Sequence, residues 1–285
     1  MKKMAIILIN YNGLSDTIDC INSINDSNTS NFTIYVVDNC SSESCRVLEQ
    51  FDNTKVIYLK ENLGFGIANN YGAEEAIKDG AEYLLCLNND TIVSKEAINL
   101  LRKSADNNTI VTCAIYYYSN RAELWYGGGE VSKLLGNFRH KRYSESKYIS
   151  FISGCCMMIT KECYSELGLF DPEYFMYCED VDYSLKAILN GYRILYVHDA
   201  KIWHKVGQSI NKSIGAKDYY LTRNRLYVMK KYRKYFYFTA WIFFYCTRIA
   251  RIITGKCKNI NVNPVVKGIH DYHNNKMGKL NDYFQ

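Results

Sequence analysis

The chain has 285 residues, 48% hydrophobic and 22% charged, which is ample for a buried core at the charge density of a soluble globule. Its net charge of +6 is modest and gathers beyond Lys201, where basic residues interleave with apolar ones, so no nucleic-acid partner is expected. The 11 cysteines are odd in number and include no C-x-x-C pair, which argues against a disulfide framework or zinc site and for reduced thiols buried as small hydrophobes.

In chain order, the opening MKKMAIILIN is too short an apolar run for a signal peptide and lacks a cleavage site, so residues 4–9 read as a first strand. It ends in the polar NYNG, and a helix is expected from Ser15 to Ile24. A second strand at 33–38 ends in DNCSS, and a third at 55–59 ends in KENLGFG. A helix follows from Ile67 to Ile77, stopped by Gly80. The fourth strand, 82–87, runs straight into Asn88, Asn89 and Asp90, and Ser94 is placed to cap a helix reaching Ser104. Apolar strands alternating with helices predict an α/β fold with a parallel sheet covered on both faces. Ligands of such sheets bind beyond the carboxyl ends of the strands. Asn10, Asp38, Asn62 and Asp90 all fall at that edge and predict one polar rim.

The second half is less regular. ELWYGGGEV (123–131) is a glycine-rich turn region, and the apolar run 148–160 is broken by Ser153 and Gly154. Thr160 suits the cap of a short helix to Leu167. A helix from Glu179 to Leu189 stops at Asn190-Gly191, a strand covers 193–197, and a long basic, aromatic helix covers 213–235.

Four stretches carry chemistry. Gly64 and Gly66 open a helix and suit a close approach to phosphate or a ring, but G-F-G followed by Ile67-Ala68-Asn69 is not a dinucleotide fingerprint, and no P-loop exists. Asp90 suits a hard divalent cation bridging to phosphate oxygens, or else an Asx turn. Glu179, Asp180 and Asp182 open a helix, where acids complement the dipole; beside the apolar YFMYC they also suit a general base of raised pKa. His204 follows a strand at the rim, and Arg223 and Arg225 flank Asn224 where they either grip phosphate or line a solvated face.

Together NYNG, VVDNCSS, NLGFGIANN, LLCLNNDT, YFMYCEDVDYSLKAILNGY, WHKVGQS and YYLTRNR, in this order over about residues 1–230, resemble the family 2 inverting glycosyltransferases of bacterial surface-polysaccharide synthesis. More narrowly they resemble the rhamnosyltransferase-like branch. The resemblance implies a glycosyltransferase A-type fold over residues 1–230, a Rossmann-like nucleotide-binding half fused to an acceptor half around a mostly parallel sheet. It implies transfer from a nucleotide-sugar donor, dTDP-rhamnose ahead of a UDP-sugar, to a hydroxyl of a saccharide or lipid-linked saccharide, with Mg2+ or Mn2+. Carried over by position, Asp38 binds the base beside Asn10, Tyr11 and Asn12. Asn62, Gly64, Gly66, Asn69, Asn88 and Arg223 fall among the donor contacts. Asp90 holds the metal, His204 helps hold the metal or the diphosphate, and Asn88 stands where the motif usually has its first acid. Asp180 is the catalytic base, with Glu179 its rival.

Residues 231–285 form a basic, aromatic helical extension. The 13 uncharged residues between Lys234 and Arg248 are too few to span a bilayer. They suit a helix lying on an anionic membrane face, or one packed on the catalytic domain or on a second subunit of a homodimer. The first reading places the protein in the cytoplasm, peripheral on the inner face of the plasma membrane. Two rivals to an enzyme of this kind are a non-catalytic sugar-binding or scaffold relative and a sugar nucleotidylyltransferase. The second would need a basic glycine-rich loop after the first strand, where this chain has INYNGLSD.

Overall fold

The computed structural model describes residues 3–206, 214–258 and 260–280. β1 (Met4–Asn10), α1 (Leu14–Asn25), β2 (Phe32–Asp38), β3 (Thr54–Tyr58), α2 (Phe65–Lys78) and β4 (Tyr83–Asn88) make up the first half. The four strands lie parallel in the order β3-β2-β1-β4. Register aligns Asn10 with Asp38 and Ile9 with Asn88, so these polar ends share one edge. β1 is almost wholly buried, as expected of a strand packed on both faces.

Beyond β4 come β5 (Thr91–Val93), α3 (Ala97–Ser104), β6 (Thr109–Tyr117), β7 (Leu124–Tyr126), β8 (Gly129–Val131), β9 (Phe138–His140), β10 (Lys147–Ile149) and β11 (Cys156–Thr160). They are followed by α4 (Lys161–Leu167), α5 (Glu179–Leu189), β12 (Arg193–His204), α6 (Ile214–Lys231), α7 (Phe238–Cys257) and α8 (Asn263–His273). The sheet continues from β4 as β11-β6-β12-β10, with β5 added to β12 and β7 to β6. β11 runs antiparallel to β4 and begins at the rim, since Cys156 stands opposite Leu87. The break at Ser153-Gly154 is therefore the loop that crosses the rim before the chain re-enters the sheet.

Several boundaries moved. Thr160 caps α4 through its side chain, which accepts from Cys163 N. Ser94 does not cap α3 with its hydroxyl; its carbonyl accepts from Ala97 N and the helix starts two residues past Lys95. The strand expected at 193–197 extends to His204 across an irregularity between Val197 and Lys201, which no simple apolar pattern marks. β6 is an additional strand, buried along most of its length. All 11 cysteines are free, and eight of them are buried.

The C-terminal helices are packed on the rest of the chain. A second core joins Val181 and Leu185 of α5, Leu226 and Met229 of α6, and Ala240 and Phe244 of α7. α8 lies so close to α6 that a Cβ on Gly268 would stand 2.8 Å from the Tyr219 carbonyl oxygen. Only glycine permits that approach.

Candidate active site

The rim is organised first by hydrogen bonds. Asp38 Oδ1 accepts from Asn10 Nδ2 at 2.9 Å, Ser41 Oγ at 2.5 Å and Cys45 Sγ at 3.4 Å. Burial, then Asp38 itself, pushes the Cys45 thiol up to about 11, so it stays a donor. Asp38 Oδ2 receives a bond of 3.3 Å from Ser41 N, which keeps lone pairs on that oxygen available to a ligand. Asn12, at φ 55°, accepts from Ser42 N and Oγ and so latches the loop after β1 to the loop after β2. Tyr11 beside it is 49% exposed.

Asn89 and Thr17 extend this network. Asn89 Nδ2 donates to Thr17 Oγ1 at 2.8 Å, and Thr17 Oγ1 donates to Asn10 Oδ1 at 2.9 Å. The turn after β4 is thereby tied to Asp38 by three linked side chains. Asn39 does the same for the next loop. It donates to Asn62 Oδ1 and accepts from Leu63 N, while Asn62 Oδ1 also accepts from Gly64 N. Sequence reasoning missed Thr17, Asn39 and Asn89, because a polar residue near a strand end reads equally well as a turn.

Gly64 is glycine for a specific reason. Its φ is 87°, and a Cβ there would lie 2.1 Å from the Phe175 carbonyl oxygen. That carbonyl accepts from Phe65 N at 3.0 Å, so the mouth of α2 is joined to the chain leading into α5. A Cβ on Gly66 would crowd Phe170 at 3.1 Å. Asn69 is buried and its amide is used on the Phe65 carbonyl within α2.

Sheet register brings Asp90 and His204 together across 114 residues. β12 pairs with β5 so that His204 faces Thr91, and Lys205 N donates to the Asp90 carbonyl. A one-residue slip would turn the imidazole to the other face, so the irregularity at 198–200 sets which way it points. His204 Nε2 lies 3.0 Å from Asp90 Oδ1, and the Asn88 amide nitrogen lies 3.5 Å from the same Nε2. The 3.0 Å contact is not aligned as a hydrogen bond, and Asp90 Oδ1 remains without a hydrogen-bond partner. The Trp125 ring packs edge-on against the imidazole, centroids 4.9 Å apart, which orients it without a hydrogen bond to Nδ1. Trp125 was hidden in a stretch that reads only as a glycine-rich turn.

The residues fit a small divalent cation in one respect. Asp90 and His204 offer a carboxylate and an imidazole aimed at one point, beside the Asn88 amide. Among the described residues no group of three or more His, Cys, Asp or Glu converges. This half-set suits Mg2+ or Mn2+, which complete their shell with water and phosphate oxygens.

The third part is the start of α5. Tyr177 and Cys178 stand at φ 66° and 71°, two successive left-handed residues that are not glycine. Such a conformation costs about 1–2 kcal/mol per residue and persists only where the surroundings enforce it. Asn224 of α6 is that enforcement: its amide donates to the carbonyls of Met176 and Tyr177 at 2.9 and 2.8 Å. Asn224→Ala is expected to lower stability by about 2 kcal/mol, because two carbonyls lose their donor. Urea denaturation measures this, and an unchanged midpoint would refute the clamp.

The strained turn delivers two carboxyls. Asp180 accepts from Gly154 N at 3.0 Å and Val181 N at 2.8 Å, and is partly exposed. Glu179 is buried, and its Oε2 has no hydrogen-bond partner. Burial pushes the Asp180 carboxyl up to about 6, opposed by the two backbone donors. Burial, then the neighbouring Asp180 charge, pushes Glu179 up to about 8. Gly154 also connects this pair to β4, because the Cys155 carbonyl accepts from Asn88 N at 2.9 Å. Of the seven buried side-chain atoms without a hydrogen-bond partner among the described residues, three belong to Asp90, Glu179 and His204. Orphaned buried polar atoms are rare in folded proteins and gather where a ligand is expected.

Other predicted residues lie elsewhere. Asp182 anchors α6, accepting from Tyr174, Lys231 and Tyr232. Arg223 is 1% exposed and bonds Asn224 and Tyr219 in the α6–α8 contact, so it does not present itself at the rim. Arg225 donates to the carbonyls of Leu135 and Gly136. Gly207 and Ser209 of WHKVGQS, and Ser213 at the expected start of α6, lie outside the described residues.

The sequence profile named "Glycosyl transferase family 2" matches residues 5–168. The chain is 23% identical over 214 residues to the dTDP-rhamnosyl transferase RfbF of Shigella flexneri, covering 70% of this chain and 72% of that protein. It is 27% identical over 152 residues to the rhamnosyltransferase WbbL of Escherichia coli, covering 47% of this chain and 58% of that protein. Among solved structures, GalNAc-T7 with UDP, GalNAc and Mn2+ superposes with a TM-score of 0.62 at 18% identity, over 72% of this chain and 44% of that one. Staphylococcus aureus TarS 1–349 with UDP-GlcNAc superposes with a TM-score of 0.57 at 19% identity, over 80% of this chain and 66% of that one. The fold is the glycosyltransferase A-type expected from the sequence, with added C-terminal helices.

Proposed function

The chain belongs to glycosyl transferase family 2, and on that premise we propose that it transfers a sugar from a nucleoside-diphosphate donor to a hydroxyl of a saccharide or lipid-linked saccharide, with inversion. The observation that carries this reading is the pairing of Asp90 with His204 beside the Asn88 amide, together with the link from Asn88 N to the Cys155 carbonyl and from Gly154 N to Asp180. Asp38 and the loops latched to it would receive the base, with Tyr11 against its ring. Asp90 and His204 would hold Mg2+ or Mn2+, which when bound neutralises the leaving diphosphate as a Lewis acid. Asp180 takes the proton of the acceptor hydroxyl as that oxygen bonds to the anomeric carbon and the bond to the diphosphate breaks. A single displacement inverts the centre and needs no nucleophile from the protein. Glu179, neutral under burial, stands beside the base as a proton-bearing neighbour.

Relatives named as rhamnosyltransferases favour dTDP-rhamnose as donor, ahead of UDP-sugars, in the synthesis of a cell-surface polysaccharide. Among the described residues no helix is long and apolar enough to cross a membrane, and a peripheral position on the inner face of the plasma membrane suits a lipid-linked acceptor. A thermal-shift series with Mn2+ and each nucleotide sugar tests the donor, since a bound ligand stabilises the native state by mass action. At a hundredfold excess over Kd the gain is about 2.7 kcal/mol, read as a rise in midpoint. dTDP-rhamnose is expected to give the largest rise and to be hydrolysed slowly without acceptor. Binding with no turnover under any acceptor would instead indicate a sugar-binding relative, and no shift with any nucleotide would overturn the reading.

A further inference from the structure

The outer face of α7 is apolar along its length. Phe238, Ile242, Cys246, Ile249 and Ile253 recur every three or four residues and so share one stripe. The four large ones are 77%, 50%, 55% and 57% exposed, although the opposite face, with Ala240 and Phe244, is packed in the second core. A helix that had simply docked on the domain would show a polar outer face. At its N-terminal end lies a pocket of about 530 Å³ lined by Lys133, Arg233, Lys234, Tyr235 and Tyr237 among others. These three cationic side chains have no acidic partner among the described residues. The pocket is also lined by Leu189, the last residue of α5, and by Lys231 and Tyr232, whose side chains bond Asp182 on the same helix, while none of Asp90, Glu179, Asp180 and His204 lines it.

Charge identifies the occupant. Between Asp218 and Asp271 the sequence holds 11 Lys or Arg and no Asp or Glu. Lys231, Arg251 and Lys267 are paired with acids and Arg223 is buried, but Lys230, Arg233, Lys234, Lys256 and Lys258 are exposed and form no ion pair among the described residues. A second copy would bring the same cations to the stripe and repel it. An anionic lipid surface supplies both the hydrocarbon for the stripe and the phosphates for the cations. α7 runs antiparallel to α6, because Arg248 meets Thr222 while Arg251, further along α7, meets Asp218, further back on α6. Its C-terminal half therefore flanks the part of α6 whose Asn224 clamps the turn before Asp180. We propose that α7 lies in the plane of an anionic bilayer, its outer stripe inserted among the acyl chains and the pocket at its base taking lipid headgroup phosphate. This rests on the membrane placement given above and names the surface that makes it.

Sedimentation of the full chain with vesicles tests it. The protein is expected to sediment with vesicles of phosphatidylglycerol and phosphatidylcholine in equal parts, and not with phosphatidylcholine alone. Arg233→Ala with Lys234→Ala should weaken binding about thirtyfold, at about 1 kcal/mol per charge. Ile249→Glu with Ile253→Glu should abolish it, with circular dichroism and thermal midpoint unchanged because both side chains are solvent-facing. If the wild-type chain ignores anionic vesicles, the membrane placement and this surface both fall. If it binds and the double Glu variant binds equally, the placement stands and this surface falls. A dimer by light scattering that Ile249→Glu splits, without vesicle binding, gives the stripe to a second copy and overturns the proposal.

Discussion

Asp180→Asn is expected to cut glycosyl transfer by about 10²–10⁴-fold, the usual contribution of a positioned general base, while nucleoside diphosphate still raises the thermal midpoint. The amide keeps the shape of the carboxylate and one of its two backbone donors, Gly154 N or Val181 N, but cannot accept a proton. Glu179→Gln separates the two neighbours. With its carboxyl pushed up to about 8 by burial, Glu179 is mostly protonated at neutral pH, and a glutamine resembles that form. Transfer by this variant should stay within about tenfold of wild type. The pH profile has a definite sign. Asp180 must be ionised to act, and burial pushes its carboxyl up to about 6, so the rate should fall as the pH drops through 6 and level off above it. That acid limb should persist in Glu179→Gln. An Asp180→Asn enzyme retaining most of its activity would remove Asp180 from the mechanism.

Asp90→Ala should lower transfer by about a thousandfold, equivalent to about 4 kcal/mol of leaving-group stabilisation, and should also erase the Mn2+-dependent part of the nucleotide's thermal shift. Asp90 is the sole acid of the Asn88-Asn89-Asp90 triplet, and the other two side chains have separate work. Asn89 braces Thr17 and Asn88 lies against His204. Neither offers a negative charge to replace the one removed. Equal donor affinity with and without Mn2+ in both wild type and variant would sink the metal assignment. Loss of affinity in wild type on chelation, with Asp90→Ala already at that level, is the expected pattern.

Local pattern was enough for the four strands of the first half, three of them largely buried and β3 a half-exposed edge strand. The strands read at 4–9, 33–38, 55–59 and 82–87 stand at Met4–Asn10, Phe32–Asp38, Thr54–Tyr58 and Tyr83–Asn88. Their polar ends do share one rim, because parallel strands in register must end together. α5 also stands where Glu179 to Leu189 was read, since Asn190-Gly191 ends it without help from packing. β12 was read only to Val197, because His198 and Asp199 interrupt the apolar pattern and its continuation depends on pairing with β6 and β5.

From the sequence by itself came the α/β class, the rim, and the order of motifs that resembles family 2 glycosyltransferases, because each is written in short-range pattern. Tertiary structure decided which polar residues meet. It turned Arg223 and Asn69 inward and gave Asn224, between two arginines, the clamp on the Tyr177–Cys178 turn. It set Asp90 against His204 through strand register, and Asp180 against Gly154 through a loop that crosses the rim. Such meetings depend on contacts between residues far apart in the chain and are not encoded in any short stretch, whereas the raised pKa of the carboxyls is already suggested by the apolar YFMYC beside them.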